Sequence, residues 1–209
     1  MFSISSLRVL TLAVAACAWS AASPTASAAE RSEKDWQFRG TGKELKSGTA
    51  YTMYNVTDKE NVRYGERKWG INLVWDKKPN LNNVKLVTPG IVNGSIRYGD
   101  KVAIHVEKGG YLKYQKRDFG INLVWSKEPV YEFVVTGGAK GTAVPTNATV
   151  ALYNMVEKDF LINAERPVGI NLRWYKDRDK GGSFKDLVKN VAKDLIKDGL
   201  KELADEFIK

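Results

Sequence analysis

The stretch Gly70-Ile71-Asn72-Leu73-Val74-Trp75, GINLVW, recurs letter for letter at 120–125 and returns as GINLRW at 169–174. Gly120 follows Gly70 by 50 residues, and Gly169 follows Gly120 by 49. A fixed internal period dictates an architecture before any local reading does. The match extends upstream without a gap, as NVRYGERKWGINLVW (61–75), YLKYQKRDFGINLVW (111–125) and FLINAERPVGINLRW (160–174). Val62, Leu112 and Leu161 stand eight residues before the motif glycine, and Tyr64, Tyr114 and Asn163 stand six before it.

Further back, TAYTMYNV (49–56), DKVAIHV (100–106) and ATVALYNM (148–155) correspond with a one-residue shift. After the motif come a turn region, DKKPNLNN or SKEP, and then VKLVT (84–88) or YEFVVT (131–136). The matching stretch for the remaining unit is WQFRG at 36–40, ahead of everything else. Each unit is four short segments, mostly alternating apolar and polar residues, punctuated by Gly, Pro, Asn and Asp. These are strand and turn signals. Three units of four strands make twelve. The arrangement resembles the β-trefoil superfamily over about residues 36–176. That resemblance implies six strands in a short barrel and six in hairpins closing one end. Three blades are too few for a propeller.

Alternate strand residues share a face. Ile71, Leu73 and Trp75, with Ile121, Leu123, Trp125, Ile170, Leu172 and Trp174, are therefore expected to converge on the pseudo-three-fold axis. Burying each is worth about 1.5–3 kcal/mol. Gly70, Gly120 and Gly169 are expected in a strained turn or a close backbone approach. Asn72, Asn122 and Asn171 are expected to be turn and hydrogen-bond devices. The next position, Val74, Val124 or Arg173, varies as a solvent or contact position does. The motif is scaffold, and function belongs where the units differ.

Residues 1–29 have the pattern of a secretory signal peptide: Arg8, the apolar run VLTLAVAACAWSAA, and the small-residue site ASA at 26–28. The alternative is a lipoprotein, since VAAC at 14–17 fits a lipobox and would place lipid on Cys17. Cys17 is the only cysteine. The exported chain would have none, which excludes disulfide-stapled scaffolds and cysteine-ligated metals. An ordinary core over about 150 residues must then hold the domain, expected at 30–180. No later segment is apolar enough to span a bilayer.

The net charge is +9, and Arg8 is the only charge in 1–29. Residues 183–209 hold six Lys and six acidic residues, so the positive excess lies in the repeat domain. A secreted basic domain favours a glycan or anionic surface ligand. Its basic residues are dispersed, which argues against nucleic acid. Residues 183–208 carry apolar side chains at helical spacing, with Ser183 as a cap and Gly181-Gly182 as a hinge. They are expected to form a C-terminal amphipathic α-helix within a tail at 181–209. Its balanced charge favours a protein partner or self-association over lipid.

The exported chain has one histidine, His105, in a strand-like context. No G-x-S-x-G, H-E-x-x-H or phosphate-binding loop is present. Neither catalysis, a cofactor nor a metal is expected. Secreted trefoils resembling this one include lectins, inhibitors and receptor-binding modules. The ricin-type lectin repeat carries Q-x-W, whereas these units carry L-V-W or L-R-W. The expected ligand surface uses the recurring Tyr54-Asn55 and Tyr153-Asn154, His105 between them, and Tyr64 and Tyr114 on the following strand. Aromatic rings give sugars a flat apolar face, and Asn both donates and accepts hydrogen bonds. The reading is a secreted glycan-binding protein, with a protein-interaction module as the alternative.

Overall fold

A computed structural model describes residues 33–178 except 69, 118, 119, 167 and 168. Twelve strands follow one another: β1 (Trp36–Arg39), β2 (Ala50–Asn55), β3 (Glu60–Tyr64), β4 (Leu73–Asp76), β5 (Val84–Val87), β6 (Lys101–Val106), β7 (Gly110–Tyr114), β8 (Leu123–Ser126), β9 (Phe133–Thr136), β10 (Thr149–Asn154), β11 (Asp159–Asn163) and β12 (Leu172–Trp174). A single 3₁₀ turn, Tyr175–Asp177, closes the described chain.

The pairing makes a closed ring. β1 pairs with β2, β2 with β5, β5 with β6, β6 with β9, β9 with β10, and β10 returns to β1, all antiparallel. Closure leaves this barrel no free edge. The outer pairs β3–β4, β7–β8 and β11–β12 each extend from one barrel strand. The units are therefore β2–β5, β6–β9, and β10–β12 with β1. A six-stranded barrel with three outer hairpins is a β-trefoil-like arrangement.

One part of the expected fold class is corrected. The described architecture is all-β and has no α-helix. The amphipathic helix expected over 183–208 lies outside the described residues, as do the expected leader and Cys17. The strands complete the core by themselves. Trp36, Phe38, Met53, Leu86, Ile104, Phe133 and Leu152 of the barrel are at most 1% exposed. Ile91, Val92 and Val156 are the large apolar side chains left exposed among the described residues.

The motif is built differently from a simple strand. The strand begins only at its leucine. Before it, Leu73, Leu123 and Leu172 each donate their N–H to the carbonyl of Ile71, Ile121 or Ile170, at 2.7 Å in all three units. This two-residue closure is a γ-turn centred on the asparagine. The asparagine then clips the loop behind it. Its Oδ1 accepts the N–H of Arg67, Arg117 or Arg166, at 3.1, 3.0 and 3.2 Å. The same arginines donate from Nη1 to the carbonyls of Leu73, Leu123 and Leu172. Arg117 also reaches across units, from Nη2 to the Gly70 carbonyl at 3.2 Å.

The three glycines have φ of +87°, +84° and +99°. A Cβ on Gly120 would lie 3.3 Å from the Cα of Gly70, and one on Gly70 would lie 3.7 Å from the Cα of Gly169. They are the closest approach of the units at the axis. Ile71, Ile121, Ile170, Leu73, Leu123 and Leu172 are buried beside them.

The tryptophans depart from expectation, because they do not meet. Each sits at a seam against the preceding unit. Trp75 stacks on Trp36 at 6.3 Å, Trp125 tilts on Tyr64 at 6.1 Å, and Trp174 tilts on Tyr114 at 6.0 Å. The axis is already filled by glycine, Ile and Leu, and strand twist swings the residue after next away from it. Their indole N–H groups are buried without an acceptor among the described residues. Leaving such a donor unpaired costs about 1–3 kcal/mol, so apolar packing holds these rings in place. Arg173 departs too. It is buried, and its Nε donates to the Glu165 carbonyl at 2.6 Å.

Two glycines give a test of the axial contact. Gly90 has φ +70° and open space around it. Gly90→Ala should cost only the left-handed backbone penalty of about 1–2 kcal/mol. Gly120→Ala should cost more, because its methyl also meets the Gly70 backbone. Denaturant midpoints measure both. Equal losses would mean that the axial approach imposes no constraint.

Candidate functional site

The seven residues expected to bind ligand divide into three groups. Asn55 and Asn154 are fully buried. They lock the turns after β2 and β10. Asn55 Oδ1 accepts the Asp58 N–H at 2.8 Å, and its Nδ2 donates to the Asp35 carboxylate at 2.8 Å. Asn154 Oδ1 accepts the N–H groups of Val156 and Glu157, both at 2.9 Å, and its Nδ2 donates to Glu132 at 3.2 Å. Their hydrogen bonds are spent on the fold.

Tyr64 and Tyr114 form the second group. Their rings belong to the Trp125 and Trp174 seams. The Tyr64 hydroxyl accepts from Asn72 Nδ2 at 3.3 Å. The Tyr114 hydroxyl is pushed above its ordinary value chiefly by its hydrogen bond with Glu157, then by burial.

Tyr54, His105 and Tyr153 occupy equivalent positions on the outer face of β2, β6 and β10, one per unit. The barrel separates them, so they do not form one site. Each meets a different neighbour. His105 packs edge-on against Tyr111 at 4.8 Å, and burial, then Lys85, holds its pKa below the ordinary imidazole value, with Glu107 opposing. Tyr153 packs edge-on against Phe160 at 5.1 Å. Tyr54 is covered on one face by Arg39, whose Cζ lies 3.2 Å from the ring centroid.

Of these three, only Tyr54 opens onto a cleft of about 260 Å³, lined by Arg39, Thr52, Tyr54, Lys59, Asn61, Lys77, Pro79 and Asn80. A second cleft of about 180 Å³ holds Tyr64, with Arg63, Asn83 and Lys108 among its walls. The first is the better site on the ground of charge.

Its lining carries three cations and no carboxylate. The nearby acids are engaged elsewhere. Asp76 accepts from Arg63 and from the Lys78 N–H at 2.7 Å, and that backbone bond, then the Arg63 bond, holds its carboxyl below the usual range. Asp58 accepts from Asn163 at 2.6 Å. Glu60 faces Lys77 at 3.5 Å, which leaves Arg39 and Lys59 as the uncompensated cations of the lining.

The second cleft has a comparable amide in Asn83, and the first has Asn61. Asn61 is 5% exposed, and its Nδ2 donates to the Lys78 carbonyl at 2.6 Å. That bond fixes the amide orientation and leaves Oδ1 buried with no donor among the described residues. An unfilled buried acceptor costs about 1–3 kcal/mol.

The lining also includes Lys59. It has φ +59°, a left-handed conformation uncommon outside glycine. The turn donates its Lys59 N–H to the Asn55 carbonyl at 3.0 Å, so the fold holds it there. Each of the other hairpin turns also carries a left-handed lysine, Lys108 or Lys158.

Arg39, Lys59, Lys77 and Asn61 were not among the expected site residues. Arg39 has a readable signal, since its counterparts in the other units are Val87 and Thr136. The equivalent arginines 67, 117 and 166 were also missed, although each stands three residues before a motif glycine. N-x-S/T sequons begin at Asn55, Asn93 and Asn147; burial closes the first, whereas Asn93 and Asn147 are exposed. Among the described residues, no group of three or more His, Cys, Asp or Glu is placed to hold a metal, and no helix is long and apolar enough to cross a membrane. Comparison with protein-family models, curated proteins and solved structures returns no match.

Two outcomes test this description. Lys59→Gly should raise stability by about 0.5–1 kcal/mol, as the left-handed strain is relieved against added unfolded-state entropy. A lower denaturant midpoint would contradict the strain. Glu132 supplies the second. Burial raises its pKa above the ordinary 4.5, and the Tyr114 N–H and Asn154 amide oppose the rise. Its native carboxyl therefore holds its proton more tightly than the unfolded one does. Its contribution to stability is fully present below pH 4.5 and is lost as pH rises through the raised value. Glu132→Gln should flatten the fall in stability above pH 4.5. An unchanged slope would show that Glu132 is not the group responsible.

Proposed function

We propose that this chain is a secreted, non-catalytic β-trefoil that recognises a surface glycan through the cleft over Tyr54. The observation that carries the reading is the lining itself, a concave surface with Arg39, Lys59 and Lys77 and no carboxylate. Thr52, Tyr54 and Asn80 add polar groups, and Pro79 adds an apolar wall. Such a mixture of flat apolar surface and aimed hydrogen-bonding groups suits a polyol. It suits an acyl or phosphoryl transfer poorly, because no nucleophile–base pair stands in the lining. The leader-like segment at 1–29 supports export, where surface glycans are met.

Tyr54 differs in role from the expected sugar platform. One of its faces is already taken by Arg39. In this reading it positions the cation as much as it packs the ligand.

A glycan array on the full chain is the test, followed by titration calorimetry with each hit. Asn61→Ala should weaken binding of every hit by about tenfold or more, because the amide that braces the Lys77–Asn80 wall through the Lys78 carbonyl is gone. Tyr153→Ala, at the equivalent place in the third unit and outside the cleft lining, should leave affinity unchanged. If no glycan binds, or if only the Tyr153 variant loses binding, the cleft is not a glycan site.

A further inference from the structure

Within the glycan reading, on which this step rests, we infer that the ligand is an acidic sugar. Its carboxylate or sulfate would dock in the plane of the Arg39 guanidinium.

Arg39 is built as a fixed fork. Its Nε donates to Gln37 Oε1 at 3.0 Å. Gln37 in turn donates from Nε2 to Thr149 Oγ1 at 3.0 Å. Gln37 and Thr149 face each other across the β1–β10 ladder, and Gln37 faces Tyr54 across β1–β2. The chain of bonds thus ends on three barrel strands. The Tyr54 ring supports the guanidinium from one face at 3.2 Å. These contacts fix the plane and one edge of the group.

The other edge, Nη1 and Nη2, makes no hydrogen bond with any described residue. Two parallel N–H donors at a fixed spacing match two oxygens of one oxyanion, the bidentate geometry that distinguishes arginine from lysine. Lys59 adds a second uncompensated charge to the same lining. A neutral sugar would leave both terminal nitrogens and Lys59 facing a ligand without charge. A free carboxylate in the lining would have quenched the fork, and none is present.

The fork exists once. The positions equivalent to Arg39 and Gln37 are Val87 and Lys85 on β5, and Thr136 and Val134 on β9. The scaffold repeats, but this site belongs to the seam between the third unit's β1 and the first unit's β2.

The experiment uses the full chain and three oligosaccharides of matched length, one neutral, one bearing uronic carboxylates and one sulfated. Calorimetry measures each against wild type, Arg39→Lys, Gln37→Ala and Lys127→Gln. Lys127 is exposed and away from the cleft, so its variant controls for net charge. Circular dichroism and a denaturant midpoint confirm that each variant is folded. The expected result is that at least one acidic sugar binds about tenfold or more tightly than the neutral one. Arg39→Lys should remove that preference although the charge is kept. Gln37→Ala should reduce it, and Lys127→Gln should preserve it. The stronger of the two acidic arms names the group.

Equal binding of neutral and acidic sugars, unmoved by Arg39→Lys, would overturn the acid fork while leaving a glycan site. Equal losses from Lys127→Gln and Arg39→Lys would reduce the preference to net charge and also overturn it. Failure of all three sugars to bind, in a fold that stays intact, would remove the glycan reading and the fork's role with it.

Discussion

The structure depends on one repeated constraint, the asparagine clip. In each unit a side-chain carbonyl folds back to hold a backbone N–H five residues earlier, and the γ-turn beside it starts the next strand. The clip must close a loop of fixed size, and it must deliver a glycine to the axis. An L side chain would be strained there in conformation and crowded by its neighbour. This accounts for Gly, Asn and Leu recurring together. Ile and Leu then drop into the core, and the arginine three residues before the glycine ties down the strand carbonyl. One motif sets the loop, the axis and the direction of the outer hairpin.

The units are then joined by side chains that reach backward. Asp35 accepts from Asn55, Thr57 and the Asn163 N–H, so it bonds to both the first and the third unit. Glu132 does the same between Tyr114 and Asn154. Asn83 stands at the third equivalent place and donates to the Val62 carbonyl at 3.1 Å. The two buried acids bridge units, whereas the amide bonds within its own. A carboxylate accepts more bonds and is costlier to bury, which explains why the amide serves where fewer donors converge. The tryptophans add apolar contact along the same seams.

The sequence made the units and the strand count legible, because a period of about 50 residues and alternating segments survive without any knowledge of pairing. It concealed the γ-turn. Ile71, Leu73 and Trp75 alternate whether or not Ile71 and Asn72 belong to the strand, so the expected common face for the tryptophans followed from the wrong starting residue. The recurring Tyr-Asn pairs misled for a related reason. Alternation separates the two side chains onto opposite faces, and the register at the strand end decides which is buried. Asn55 and Asn154 fell inward and became turn locks. The cleft was legible only in Tyr54. Arg39 lies fifteen residues earlier, and it reaches the ring only because β1 pairs with β2 in a register that sets Gln37 opposite Tyr54. No local pattern encodes that register.

Net charge alone would have placed an anionic ligand anywhere on this surface, since the basic residues are spread along the chain. What selects one place is the disposition of the acids. A surface cation beside a carboxylate presents little field, because the pair is compensated and water screens the remainder. Asp76 is held by Arg63 and a backbone N–H, Asp58 by Asn163, and Asp35 by the seam between units. The acids of this region are thus consumed in shaping the fold. Arg39 and Lys59 are left uncompensated in a concave wall, where field lines concentrate. The scaffold's own demand for carboxylate acceptors therefore creates the positive cleft. It would do so at the one seam where an arginine, rather than valine or threonine, closes the strand.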